Sequence, residues 1–404
     1  MIEAVAKVNH GVHQRRYSLI TAILFWCGLV VISSLYITIP LVSVFAEAFK
    51  VSITQAAWTG SAFSLSYALG FLLLGPLSDR YGRKQMIVYG LIILTVVSPI
   101  VGLFSNLTIL IVLRAIQGMA AATFAPTAIS YVVEVFPEEK RITATGFVST
   151  GFLMSGIVGQ VFASLVSENL GWNYVFYLLG ALYLITVIVV ILFLPKYPVP
   201  LIKGNRFDSF IQMGSIFKQK PLLLCYTIAI TLFLSFVGMY TTLGSYLSGS
   251  FDLNSQDILY VRCVGIFGML VSPFSGRLVV KFGIHAVLRG GLSLAVLGLA
   301  ILGVSANVVF LIVMSVVFVA GISITVSTLI SLVGQLGGAT RGAAISLYSF
   351  ILFLGATLGP IVTIDILKMS SYLVTFESLA LFLGIGLIAS ILIRQPLLTQ
   401  RLSP

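Results

Sequence analysis

With 404 residues, 59% of them hydrophobic and only 9% charged, the chain has a mean hydropathy of +1.11 and too few charges to cover soluble domains. The net charge of +11 would suit nucleic acid in a soluble protein, but the bases cluster at the ends of long apolar runs. That pattern excludes a nucleic-acid patch and marks a protein of the lipid bilayer.

Apolar runs long enough to cross a ~30 Å hydrocarbon core at ~1.5 Å per residue begin near Ser18, Gln55, Met86, Leu107, Ile142, Asn173, Leu222, Asp257, His285, Asn307, Gly342 and Tyr372. Runs such as "LYLITVIVVILFL" lack the alternation of a barrel strand, so twelve helices are predicted. The fold class expected is therefore an all-α membrane protein.

The opening "MIEAVAKVNHGVHQRRYS" resembles the basic start of a signal peptide, but the apolar run after it is too long and lacks a small-residue cleavage site. It is read as an uncleaved first helix. With the N-terminus inside, nineteen Lys and Arg fall on cytoplasmic segments, and only Lys50 and Lys368 fall outside. An even helix count then returns the C-terminus to the cytoplasm, as expected for a multi-pass cell-membrane protein.

Between the second and third helices lies "GPLSDRYGRK" (Gly75 to Lys84), a concentration of charge unusual in this chain. Gly75 and Gly82 permit a tight turn and close packing. Asp79 at the inner end of helix 2 can meet the positive N-terminal end of a neighbouring helix, an interaction worth roughly 0.3 to 2 kcal/mol. Arg80, Arg83 and Lys84 serve at least as topology determinants. Glu134 lies at the inner end of helix 4.

Two bases fall within helices. Arg114 is seven residues past Leu107, ~10 Å into the membrane, and Arg262 five past Asp257, ~7 Å. Inserting such a base costs roughly 2.5 to 3.5 kcal/mol, so each should face a partner or a wet cavity. Arg262 can also snorkel outward or pair with Asp257. No Asp or Glu falls near the middle of any helix: Glu47, Asp257, Asp365 and Glu377 sit at the outer edge, Asp79 and Glu134 at the inner.

Tyr36, Trp58, Met154, Gln160, Tyr240 and Tyr348 are candidates to line a central cavity, with two or three of them expected to touch substrate. Cys27, Cys225 and Cys263 lie in predicted helices without ligand spacing, so neither metal nor disulfide is expected. His10, His13 and His285 lie outside the helix centres, and HExxH and Walker A motifs are absent. An enzyme is therefore not expected, nor is a cofactor.

The polar stretch from Pro195 to Pro221 divides the chain into residues 1–194, a cytoplasmic loop 195–221, and 222–404. The halves echo each other. "GRLVVKFGIH" from Gly276 repeats the spacing of Gly75, Leu77, Arg80 and Gly82 at an offset of 201, and Gly359 matches Gly159 at 200. Two six-helix halves with a site between them are the architecture of alternating-access carriers, whereas a static channel or scaffold needs no such duplication.

"GPLSDRYGRK" resembles the helix 2–3 signature of the major facilitator superfamily through Gly75, Asp79, Arg80, Gly82, Arg83 and Lys84. "RAIQGMAAATFAP" from Arg114, which includes Gln117, is similar to the helix-4 motif of proton-coupled members, and "GFLMSGIVGQ", with Gly151, Gly156 and Gly159, to the helix-5 motif of exporters. The resemblance spans the chain and lies nearest the twelve-helix drug and sugar efflux branch. It implies two pseudo-symmetric six-helix bundles, a cytoplasmic latch between Asp79 and helix 11, a charge relay between Arg83 and Glu134, and coupling or substrate roles for Arg114, Gln117 and Arg262. It further implies a monomer that exports a small organic solute against protons; an importer or uniporter of a neutral or anionic metabolite is the alternative. The chain departs from the pattern where Ser155 and Gly156 replace Gly-Pro, where Gln160 replaces a glycine, and where Val280 and Ile284 replace charged residues of the second-half signature.

Overall fold

Asn106 and Asn307 stand 201 residues apart and do the same thing. Each side chain accepts hydrogen bonds from the two backbone amides that open the following helix, from Thr108 and Ile109 in one case and from Val309 and Phe310 in the other. The helix junctions repeat as well. Gly82 and Gly283 adopt φ of 94° and 83°, a region open to glycine, where one helix stops and the next starts at an angle. Lys50 and Asp252 both cap helix ends in the left-handed conformation, with φ of 54° and 51°.

The computed structural model describes residues 2–196, 214, 219–304 and 307–393, without the side chains of 2–15, 53–54, 75–76, 79–80, 255 and 339. Most of the expected central loop, and the side chains of Gly75, Asp79 and Arg80 in the expected latch, therefore lie outside the described residues. Twelve helices are long and apolar enough to cross a membrane. In chain order, helix 1 is Ile2–Tyr36, helix 2 Ile53–Tyr81, helix 3 Arg83–Leu103, helix 4 Leu107–Val135, helix 5 Glu138–Leu170 and helix 6 Trp172–Phe193. Helix 7 is Lys220–Phe251, helix 8 Gln256–Phe282, helix 9 Ile284–Leu302, helix 10 Val308–Leu336, helix 11 Arg341–Met369 and helix 12 Tyr372–Leu392.

Helices 4 and 8 are broken. Each break precedes a proline, Pro126 and Pro273, whose ring cannot donate to the helical ladder. No strand occurs among the described residues.

Helix 1 packs on helix 5, 2 on 4, and 3 on 6; in the second half 7 packs on 11, 8 on 10, and 9 on 12, the same three pairings six helices later. Small residues make the contacts. A Cβ on Gly159 would lie 2.7 Å from the Ser33 carbonyl oxygen of helix 1, and one on Gly359 2.7 Å from the Leu234 carbonyl oxygen of helix 7. Such close backbone approach is how helices associate where burial of apolar surface gives no net drive. The outward surface is apolar, with Leu192 and Leu381 68% and 73% exposed, as lipid contact requires.

The halves meet along two seams that exchange under the same repeat. Helix 2 packs on helix 11, and helix 5 packs on helix 8. Along the second seam a Cβ on Gly146 would fall 2.5 Å from the Ser272 carbonyl oxygen, and the Thr150 hydroxyl donates to the Met269 carbonyl at 3.2 Å. At the first, Phe353 of helix 11 meets Tyr67 edge-on at 5.0 Å.

Candidate functional site

A cavity of about 270 Å³ lies between the halves, near the lower end of small-molecule sites. Helix 1 contributes Tyr36, helix 5 Ser149 and Gln160, helix 7 Tyr240, helix 8 Arg262, and helix 11 Tyr348. Phe152, Phe233, Phe236 and Phe353 make its walls apolar, and among the described residues no Asp or Glu lines it.

The helix-5 motif divides its labour. At Gly151 and Gly159 a Cβ would lie 2.6 and 2.7 Å from carbonyl oxygens of helix 1, so both hold the seam between helices. At Gly156 it would lie 3.6 Å from the Tyr36 ring, ordinary contact distance, so that glycine sets the width of the cavity. One turn on, Gln160 donates through Nε2 to the Gly156 carbonyl at 2.6 Å, which turns its Oε1 toward helix 8.

There the guanidinium of Arg262 donates to Gln160 Oε1 at 3.3 Å and to the Tyr240 carbonyl at 3.4 Å, both long. Its Nε has no protein partner. The sequence left open a pair with Asp257, but no carboxylate lies within ion-pair distance of Arg262 among the described residues.

Arg114 is elsewhere. It is fully buried inside the first half, donating to the Ser34 carbonyl at 2.7 Å, to Gln117 Oε1 at 2.9 Å and to the Thr59 carbonyl at 3.3 Å. Its charge lies 4.3 Å from the Phe63 ring centre. Gln117 completes the group by donating to Ser98 at 2.8 Å. Neither Arg114 nor Gln117 lines the cavity.

Of the six cavity candidates, the structure brings Tyr36, Gln160, Tyr240 and Tyr348 together. Trp58 is 57% exposed and Met154 packs beside the core, and neither joins the lining. Sequence reasoning missed Ser149 and the four phenylalanines. For Phe233, Phe236 and Phe353 the one available signal was their place on helices 7 and 11, which carry Tyr240 and Tyr348.

Where helix 3 starts and helix 4 ends, Arg83 pairs with Glu134 at 2.9 Å and also donates to Ser78. Lys84 caps the Ile191 carbonyl at 2.8 Å. Arg341, which opens helix 11 in the other half, interacts electrostatically with Glu134, Arg83 and Arg141. The sequence pointed to helix 11 but not to this side chain.

The sequence profile described as Major Facilitator Superfamily matches residues 24–360. An uncharacterized transporter of Buchnera aphidicola subsp. Schizaphis graminum is 28% identical over 85% of this chain and 84% of its own length. Multidrug resistance protein MdtG of Proteus mirabilis is 26% identical over 59% of this chain and 61% of its own. A twelve-helix chain built as two repeats around a central cavity, matched by that profile over most of its length, belongs to the Major Facilitator Superfamily of membrane transporters.

Proposed function

We propose that the protein is a monomeric secondary active transporter of the cell membrane that exports a small organic solute by alternating access, driven by protons. The observation that carries this reading is the cavity between the halves. Helices 1 and 5 of one half and 7, 8 and 11 of the other all contribute walls, so rocking along the helix 2–11 and helix 5–8 seams would change which side it faces. A relative named as a multidrug resistance protein supports export. The halves are assigned to residues 1–194 and 222–404, joined by a cytoplasmic loop 195–221, with both termini cytoplasmic. An alkaline phosphatase active after fusion at Pro200 would overturn that topology.

In this scheme Glu134, Arg83 and Arg341 act with Asp79 as the cytoplasmic latch that holds one carrier state. Asp79→Asn should therefore remove most transport while leaving membrane insertion intact. Normal rates in the well-expressed variant would reduce the signature to a topology signal.

The test of coupling is a solute screen in inside-out vesicles with an imposed pH gradient. Proton-linked solute accumulation inside the vesicles is expected. One observation favours a second reading, an importer or uniporter: among the described residues no carboxylate lines the cavity to carry a proton. Solute movement indifferent to the pH gradient would establish that alternative.

A further inference from the structure

Four buried polar atoms without a protein hydrogen-bond partner, Arg262 Nε and the hydroxyl oxygens of Tyr240, Tyr348 and Ser149, belong to side chains that line the same cavity. A buried polar atom left unpaired costs about 1 to 3 kcal/mol, so four around one space point to a ligand that meets them. All four can donate, and a guanidinium can do nothing else. Arg262 stays charged at physiological pH. An unpaired cation in an aromatic cavity with no acid selects against cations and in favour of an anion.

The local geometry adds to this. Gly265 stands one helical turn beyond Arg262, and the Tyr240 hydroxyl lies directly over it, in space that any side chain there would occupy. Gly244 performs the same service for the guanidinium: a Cβ there would fall 3.0 Å from Arg262 Nη2. Two glycines, Gly244 on helix 7 and Gly265 on helix 8, thus make room for a guanidinium and a hydroxyl between these helices. Phe152, Phe233, Phe236 and Phe353 supply apolar wall to the same cavity, Phe236 standing edge-on to the Tyr240 ring at 5.3 Å.

We infer that the transported solute is an amphipathic organic monoanion: a carboxylate held by Arg262 and the Tyr240 hydroxyl, with an apolar body against the phenylalanines. A carboxylate accepts bidentate bonds from a guanidinium in a plane that a phenolic donor can extend, and it shortens the long contacts Arg262 now makes. The volume of about 270 Å³ limits the body to one ring or a short chain. This inference rests on the transporter reading above and adds the substrate class.

The test uses the full-length protein in detergent and three probes of one skeleton: 4-phenylbutyrate, 4-phenylbutylamine and 4-phenylbutanol. Thermal stabilisation by the acid at concentrations at least tenfold below those needed for the amine or the alcohol is expected. Arg262→Gln should lose tenfold or more of the acid's affinity while Arg262→Lys keeps part of it, and Tyr240→Phe should lose about threefold. Equal binding of the amine, no binding of the acid, or acid binding untouched in both Arg262→Gln and Tyr240→Phe would overturn the inference. Counterflow in proteoliposomes separates the two claims. Transport of the amine but not the acid leaves a transporter and removes the anion; acid binding with no movement across the bilayer keeps the anion site and removes transport.

Discussion

Arg114 and Arg262 are both bases within membrane-spanning helices, yet they meet burial in opposite ways. Each guanidinium nitrogen of Arg114 has an acceptor, and the set closes on itself within the first half through Ser34, Thr59 and Gln117. Arg262, whose side chain lines the cavity, has two long bonds, one of them across the seam to Gln160, and a buried Nε without a protein partner. Burial alone therefore does not identify a binding residue. What separates the two is whether the protein has already supplied the acceptors: a satisfied base holds helices in place, and an unsatisfied one at a cavity waits for a ligand.

The strongest way to break this comparison is to truncate both. Arg114→Ala strips donors from three acceptors at once, each worth about 1 to 3 kcal/mol when left unpaired, so a loss of at least ~3 kcal/mol is expected. It should appear as a large fall in the unfolding temperature in detergent and in folded yield. Arg262→Ala removes a poorly satisfied charge, and its unfolding temperature should stay near that of the parent, within about 1 kcal/mol. A collapse of both variants, or of Arg262→Ala alone, would make Arg262 structural.

Gly159, Gly359 and Gly156 sharpen the same contrast between seam and cavity. Gly159→Ala and Gly359→Ala each place a Cβ 2.7 Å from a carbonyl oxygen, and each should cost about 1 to 3 kcal/mol, by similar amounts because the repeat gives them the same task. Gly156→Ala meets only the Tyr36 ring at 3.6 Å. It should leave stability unchanged and weaken larger solutes more than smaller ones. Unequal losses at Gly159 and Gly359 would mean that the two halves carry unequal loads.

The caps come next in size. Asn106→Ala and Asn307→Ala each unpair two amides at a helix start, at a cost of about 1 kcal/mol each. Hydrogen exchange at the first turns of helices 4 and 10 should report the two changes alike.

How much of this was legible in the sequence follows from what lipid does to a hydrophobic pattern. The twelve helices were readable because length and hydropathy decide a span, and Gly82 and Gly283 marked their junctions because few other residues adopt that backbone. The repeat showed in those glycines, although the capping role of Asn106 and Asn307 at the same offset went unread. The cavity was only half legible. In water one helix face is polar and points outward, but in a bilayer both the lipid face and the seam are apolar, so nothing in the pattern distinguishes Trp58, which is exposed, from Tyr36, which lines the cavity. Arg114 attracted attention as the deeper charge, and Arg262 proved to be the one at the cavity. Depth is read from the sequence, whereas the partners of a guanidinium come from helices far away in the chain: Thr59 and Ser34 for one, Gln160 for the other.

The smallest expected effect lies around Glu134, where the contrast between a base closed within one half and a base facing the other appears again. Arg83 has its carboxylate, Glu134, within its own half at 2.9 Å, and Arg341 lies within electrostatic range of the same carboxylate from the other half. Glu134 is 34% exposed, so water screens the pair and its removal should cost only about 0.2 to 1 kcal/mol of stability. The consequence for conformation is more telling. Glu134→Gln leaves Arg83, Arg141 and Arg341 as like charges across the seam, which opposes its closure. A cysteine replacing Thr143, which faces Gly276 at the helix 5–8 seam between the same two halves, reports the change. In a background with the three native cysteines replaced, maleimide labelling at this position should rise about two- to fivefold in Glu134→Gln, the equivalent of ~0.4 to 1 kcal/mol. Adding Arg341→Gln should restore the slower labelling, because it removes the charge on the opposing half, whereas adding Arg83→Gln should restore it less, since Arg83 lies on the same side as Glu134. Equal restoration by both would mean that the cluster acts through net charge alone and not as a latch between halves.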